Sequence, residues 1–365
     1  MNLLNRFLGD PVIASDWGVG EWNHFLPLAR NARLLGRSLA LFEQHELLDA
    51  VPQRVVDQLR GALAQTRYVQ VQALRELRQV ARVLERQGIP LMALKGAAYL
   101  VADLPPRGWR NLSDIDLMVR EDDIAAAESA LARAGWLPSG EFDAYDQHYY
   151  RAWMHEVPPL KHINRDTEVD LHHNLAPPVS RIRIDAARLW DEATTVSDPY
   201  GLSVKVLGPA DMLLHNAVHL YMNDELRGGL RDVMDFRDLF EHFLRLNAGF
   251  EDQLLKRAEV LGCGRPLFYA VDTAQRLVGL RLSVDFVRAV QRHAPSAPIA
   301  HFMAWLIDQA LAPARLGLRR SAVAHQLLFI RSHWVRMPLP MLLHHLWRKA
   351  LKSKAPTSSI QETPG

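Results

Sequence analysis

The sequence is poor in the features that mark secreted and membrane proteins. Its 365 residues include a single cysteine, Cys263, which excludes an internal disulfide framework and fits a reducing compartment. No uninterrupted apolar run is long enough to span a bilayer, and no early segment combines a basic start, an apolar run and a small-residue cleavage site. We therefore expect a cytoplasmic protein with no transmembrane segment and no secretory signal.

An excess of one charge sign is also missing. Lys and Arg together number 43 and Asp and Glu together number 41, which gives a net charge of +2. Proteins dedicated to nucleic acids normally carry a broad basic surface, so we expect no stable binding to nucleic acid. The hydrophobic content of 48% and the charged content of 23% are those of an ordinary globular protein. The length allows two or three domains.

The order of patterned segments predicts an α+β fold. Apolar residues recur at three- and four-residue spacing over 22–87, which indicates helices. Short apolar runs and a hairpin pattern follow, before helical patterns return for most of the remaining chain. We expect a small mixed β-sheet in a core of residues 88–208, with an N-terminal helical segment (1–87) packed on it and a C-terminal helical domain (209–352). Residues 353–365 have no apolar content to bury and are expected to be disordered.

Three acidic residues fall on two strand patterns of the predicted core. Asp114 and Asp116 are separated by one apolar residue inside an Ile/Leu/Met/Val run, so a strand there presents both carboxylates on one face. Asp170 lies in a second strand pattern, and His172 shares its face. Carboxylates held this close repel each other unless a cation offsets them. Because Mg²⁺ binds through carboxylate oxygens, the pattern favours a site for Mg²⁺ or Mn²⁺ at Asp114, Asp116 and Asp170.

Residues suited to a phosphate group lie near these acids in the sequence. Lys95 and Gly96 follow an apolar run at a predicted turn, where a glycine lets the backbone approach a phosphate and a lysine attracts it. Arg110 is suited to clamp phosphate oxygens with two hydrogen bonds, and Ser113 directly precedes the acidic strand. An acid pair alone is common on solvated strands. In combination with Lys95-Gly96 upstream and Glu168-Val169-Asp170 downstream, the pair predicts a functional site. The candidate nucleotide-binding residues are Lys95, Gly96, Arg110 and Ser113.

A second group of polar residues follows the predicted core. His215 and His219 are four residues apart on a predicted helix, which is the spacing of a zinc-binding pair. Asn216 stands where a His-Glu-x-x-His metalloprotease has its glutamate, so we prefer a packed or substrate-facing helix. The candidate residues of a substrate pocket are His172, His215, His219, Arg231 and Asp235.

These motifs together resemble a known family. Four segments carry the likeness: Leu94-Lys95-Gly96, Arg110, Asp114-Ile115-Asp116-Leu117 and Val169-Asp170-Leu171-His172. They are similar to the uncharacterised nucleotidyltransferase family of the polymerase-beta-type superfamily. The resemblance implies that Gly96 contacts phosphate, that Asp114 and Asp116 are paired metal ligands, and that Asp170 helps to activate the nucleophile.

The resemblance implies two-metal-ion transfer of a nucleoside monophosphate from an NTP to an unidentified small-molecule or macromolecular acceptor. Two departures from the superfamily pattern keep an alternative open. Ala97 stands where the pattern has serine, and the gap from Gly96 to Asp114 is longer than usual. The alternative is a catalytically silent nucleotide- or partner-binding protein with the same fold. A metal-dependent hydrolase centred on His215 and His219 is a third interpretation.

The C-terminal segment 333–354 mixes basic and apolar residues in an amphipathic pattern. Such a helix most often docks its apolar face on its own protein. Peripheral binding to an anionic membrane, or binding to RNA, is the alternative interpretation of this segment.

Overall fold

A mixed β-sheet with helices before and after it forms the fold, as the α+β prediction requires. The computed structural model describes residues 2–140, 143, 149–197, 201–222, 226, 228–312, 322–338 and 340–342. Within these ranges no helix is both long enough and apolar enough to cross a bilayer. The predicted disordered tail lies outside the described residues.

Seven strands make up the described sheet. They are β1 (Met92–Ala93), β2 (Asp114–Met118), β3 (Trp136–Pro138), β4 (Leu160–His162), β5 (Glu168–His172), β6 (Thr194–Ser197) and β7 (Ser203–Val206). Their order across the sheet is β3-β4-β5-β2-β1-β7-β6. β2 runs parallel to β5 and β1 runs parallel to β7, whereas the other neighbours are antiparallel. The predicted hairpin of β4 and β5 is confirmed.

Fourteen α-helices lie in the described residues. They are α1 (Leu3–Gly9), α2 (Val19–Asn31), α3 (Leu35–Gln44), α4 (Gln53–Glu85), α5 (Lys95–Val101), α6 (Ile124–Arg133), α7 (Ala186–Asp191), α8 (Pro209–Met222), α9 (Leu230–Leu246), α10 (Phe250–Val260), α11 (Gly264–Val278), α12 (Val284–Gln291), α13 (Ala297–Leu311) and α14 (Ala322–Arg336). Short 3₁₀ segments and one π-helical turn, Tyr149–Trp153, join them.

The longest helix, α4, leads directly into the sheet. Its buried residues Ala73, Leu77, Val80 and Leu84 recur at three- and four-residue spacing, which places them on one face. The helix ends at Glu85. Gly88, three residues later, adopts a left-handed conformation with φ of +69°, which glycine takes without steric cost. The chain then turns into β1.

The two acidic strands keep one face for the apolar core. Ile115 and Leu117 of β2 lie beside Val169 and Leu171 of β5, and all four side chains have no exposed surface. Because side chains alternate along a strand, the acids between them point to the other face. Burial of the apolar face therefore fixes the direction of the carboxylates.

The N-terminal helices contact the C-terminal helices as well as the sheet. Arg237 on α9 donates hydrogen bonds to the carbonyl oxygens of Leu8 (2.6 Å) and Val278 (2.7 Å). Also on α9, Asp238 accepts a hydrogen bond from Arg37 of α3 (2.7 Å) and another from the Trp109 indole (3.0 Å). α9 therefore connects α1, α3 and the end of α11 to the segment that leads into β2.

Removal of Asp238 should destabilise this junction strongly. Its side chain and that of Arg37 are 5% and 9% exposed, and loss of one partner of a buried ion pair leaves the other charge uncompensated. We expect Asp238→Ala to lower the free energy of unfolding by about 3–5 kcal/mol in urea denaturation. Asp285→Ala is the control, because Asp285 pairs with Arg288 at 91% and 70% exposure. An equal loss in both variants would contradict the assigned role.

Candidate active site

The three predicted acids lie together on adjacent parallel strands. In the register of β2 with β5, Asp114 is opposite Glu168 and Asp116 is opposite Asp170. Alternation along each strand puts Asp114, Asp116 and Asp170 on the same face of the sheet. Residues paired across neighbouring strands have their Cβ atoms about 5 Å apart. The structure thus brings the third acid beside the other two.

The two central carboxylates have opposite pKa shifts. Burial, and then the charge of Asp116, raise the pKa of Asp170 to about 7. Burial alone would also raise the pKa of Asp116, but Lys95 and His172 hold it well below its usual range. One Asp170 oxygen, Oδ1, is buried and has no hydrogen-bond partner among the described residues. The cluster therefore contains an ionised acid, Asp116, beside a carboxyl group that burial and the neighbouring charge make harder to ionise.

Lys95 is the cation closest to the acids. Its Nζ lies 2.6 Å from Oδ1 of Asp116. Burial would lower the pKa of Lys95, but the attraction of Asp116 outweighs it and raises that pKa. Lys95 begins α5 with φ of +44°, a left-handed conformation that is unfavourable for a residue with a side chain. The backbone is therefore locally strained at Lys95, the residue whose ammonium group contacts Asp116.

Gly96 and Arg110 are in close contact. A Cβ atom at Gly96 would lie 3.0 Å from Nε of Arg110 and 3.3 Å from Cγ of Leu112, so any side chain there would displace its neighbours. Arg110 is 7% exposed and forms ion pairs with Asp232 (3.1 Å) and Asp235 of α9. The guanidinium group is thus engaged with α9, whereas sequence analysis assigned it to phosphate.

Three other predicted site residues, Arg231, Asp235 and Ser113, lie in two different places. Arg231 and Asp235 lie at the contact of α9 with the segment before β2: Arg231 donates to the carbonyl of Asn111 (3.3 Å), and Asp235 is fully buried. Ser113 is exposed and donates from Oγ to Oδ1 of Asp114 (3.1 Å). Ser113 and Asp114 both line an open cleft.

His215 and His219 form a neutral pair beside the acid cluster. Their ring centroids are 6.4 Å apart on α8. Burial, with the charge of Lys95, lowers the pKa of His215 well below its usual value and that of His219 to about 3. In the described part of the chain, neither histidine belongs to a group of three or more His, Cys, Asp or Glu residues suited to a metal ion. The spacing of a zinc pair is present without a third ligand.

His155 and Glu156, which the sequence patterns did not identify, lie next to His172. Its Nε2 is 3.2 Å from Oδ1 of Asp116, and its Nδ1 is 3.4 Å from Oε2 of Glu156. Burial would lower the pKa of His172, but Asp116 and Glu156 raise it. The ring of His155 lies 5.3 Å from that of His172. The sequence offers one signal for these two residues, because the His155-Glu156 dipeptide lies shortly before the β4–β5 hairpin.

A cleft of about 920 Å³ opens at the start of β2. One wall is α4, which contributes Tyr68, Gln72 and Arg75, and another is the loop 164–167 between β4 and β5. Ser113 and Asp114 lie in its lining. An acid of the cluster is therefore accessible to a molecule of considerable size.

Comparison with known proteins identifies the family but gives no reaction. No curated protein matches the chain. A sequence model described as an uncharacterised nucleotidyltransferase matches residues 19–279, a range that contains every strand of the sheet and the helices from α2 to α11. The chain therefore belongs to the uncharacterised nucleotidyltransferase family.

Proposed function

We propose that the protein transfers a nucleoside monophosphate from an NTP to a hydroxyl group of an acceptor and releases pyrophosphate. The observation that carries the proposal is the juxtaposition of Asp114, Asp116 and Asp170 on two parallel strands, with one buried oxygen of Asp170 that accepts no hydrogen bond from the described residues. In the reaction, the acceptor oxygen bonds to the α-phosphorus, and the bond from that phosphorus to the bridging oxygen breaks. The hydroxyl proton leaves to a base.

The acids fit a divalent cation. The buried Oδ1 of Asp170 accepts no hydrogen bond from the part of the chain that the structure describes, and three carboxylates supply the hard oxygen ligands that Mg²⁺ and Mn²⁺ prefer. Asp114, Asp116 and Asp170 are the residues that would hold such ions. When bound, divalent ions lower the pKa of an attacking hydroxyl and neutralise charge on the transferring phosphoryl group.

Lys95, Gly96 and Ser113 are the proposed contacts to the triphosphate. The Lys95 ammonium lies 2.6 Å from Asp116, so a modest rotation can carry it from this carboxylate to a phosphate oxygen. Gly96 follows Lys95 in the first turn of α5, and its missing side chain permits the close packing of Arg110 and Leu112 against the backbone. Asp170 is also proposed to assist removal of the acceptor proton, since its pKa of about 7 is close to the optimum for a general base.

Arg110 has a positioning role in this proposal. Its ion pairs with Asp232 and Asp235 fix the segment before β2 against α9. His215 and His219 face the same cluster as neutral groups, and with His172 they are proposed to contact the substrate. The cleft lined by Asp114 is proposed to admit the acceptor.

A silent nucleotide-binding protein is the second candidate function. The ion pair of Lys95 with Asp116 already neutralises one acid without any metal ion, and Ala97 cannot donate a hydroxyl to phosphate. Binding of NTP without release of pyrophosphate, across a broad screen of acceptors, would favour this candidate.

Loss of an acid should abolish metal-dependent nucleotide binding. We expect Asp114→Asn to weaken binding of labelled ATP, CTP, GTP or UTP, in the presence of Mg²⁺, by about 100-fold or more, because loss even of the groups that orient metal ligands costs 10–100-fold. Equilibrium dialysis measures this affinity. Asp122→Asn is the control, since Asp122 is exposed on a 3₁₀ turn outside the cluster. Equal affinities in the wild type and Asp114→Asn would refute the assignment.

The affinity for metal should rise with pH. Since the pKa of Asp170 is raised to about 7, a proton competes with the cation below that pH, and the competition disappears above it. We expect the affinity for Mn²⁺ to increase about tenfold per pH unit up to pH 7 and then to level off. Titrations followed by electron paramagnetic resonance measure it. Asp170→Asn should bind more weakly and lose this slope; a variant with the wild-type profile would exclude Asp170 as a ligand.

A further inference from the structure

A short backbone pairing holds residues 155–157 against the end of β5. Glu156 and His172 form an isolated antiparallel bridge. The Val157 amide donates to the carbonyl of Leu171 (3.0 Å), and the His173 amide donates to the carbonyl of His155 (2.9 Å). These hydrogen bonds fix the backbone positions of His155, Glu156 and His172, independently of any contact among their side chains.

The three side chains bring ligand atoms together. One donor atom each from His155, Glu156 and His172 lies within 4.8 Å of the other two. Nδ1 of His172 and Oε2 of Glu156 are 3.4 Å apart, and two ligands of a tetrahedral Zn²⁺ at about 2.1 Å are separated by about 3.4 Å. A small contraction would therefore bring all three donors to one ion.

Burial and hydrogen bonding favour metal coordination. His155 is 6% exposed, and its Nδ1 has no hydrogen-bond partner in the described parts of the chain. Burial lowers the pKa of His155 well below its usual value, so the ring is in the neutral form that binds metals. Nε2 of His172 is held by Asp116 at 3.2 Å, the carboxylate–histidine contact that orients metal ligands in proteins.

We propose that His155, Glu156 and His172 bind one transition-metal ion of the Zn²⁺ class, at a site separate from the carboxylates proposed for Mg²⁺. Two imidazoles and one carboxylate, with a fourth position open, form a ligand set that suits Zn²⁺. Nitrogen donors favour Zn²⁺ and its neighbours in the first transition series over Mg²⁺. Because His172 also contacts Asp116, the bound ion would fix this acid in position.

The test is titration of the full, chelator-treated chain with Co²⁺, whose visible absorption reports a tetrahedral nitrogen-containing site, and then with Zn²⁺ in competition. We expect one equivalent to bind, and excess Mg²⁺ not to displace it. His155→Ala and Glu156→Gln should each weaken binding by about 100-fold or more. Glu156→Gln keeps the size of the side chain, so its effect does not depend on a packing defect.

Two control variants separate this site from the proposed nucleotide site. His173→Gln should retain the Co²⁺ spectrum, because His173 lies outside the ligand group. Asp114→Asn should retain Co²⁺ binding while losing metal-dependent NTP binding. The proposal is overturned if Co²⁺ binds without a tetrahedral spectrum, if Mg²⁺ displaces it readily, or if Glu156→Gln and His155→Ala bind as tightly as the wild type.

Discussion

The parallel register of β2 with β5 is the constraint on which the site depends. It places Asp116 opposite Asp170, and two carboxylates at that separation each raise the cost of ionising the other. A slip of one residue would turn every side chain of one strand to the other face. Such a slip would expose Leu171, which is now fully buried. Burial of the apolar face therefore holds Asp116 and Asp170 close together although their charges repel each other.

Compensating charge is distributed unequally within the cluster. Lys95 and His172 both contact Oδ1 of Asp116, at 2.6 and 3.2 Å, whereas Oδ1 of Asp170 is buried without a partner among the described residues. The pKa values of the two acids diverge as a result. Divergent pKa values in neighbouring titratable groups are typical of sites that perform acid–base chemistry. The asymmetry also indicates where additional positive charge would be most stabilising.

Strand alternation made part of this arrangement predictable. A period of two residues is local, so it assigned Asp114 and Asp116 to one face of their strand and Asp170 with His172 to one face of another strand. The strand partners and their register come from the packing of distant segments, which a local pattern does not encode. His155 and Glu156 were missed because they reach the site through a single β-bridge, which has no periodicity. β3 and β6 have only three and four residues, most of them exposed, so neither shows the period of two that marks a half-buried strand.

The partners of Arg110 explain why the sheet alone cannot form this site. Asp232 and Asp235 bind Arg110, and Asp238, three residues further along the same helix, binds both Arg37 and Trp109. Residues three apart lie on one helix face, so a single face of α9 holds the segment that leads into β2. Gly96 fits against Arg110 only while that segment stays in place. Movement of α9 would consequently change the positions of Lys95 and of the acids, which makes the C-terminal helices part of the site. The match of the family to residues 19–279, from α2 through α11, is consistent with a site that requires all of these elements.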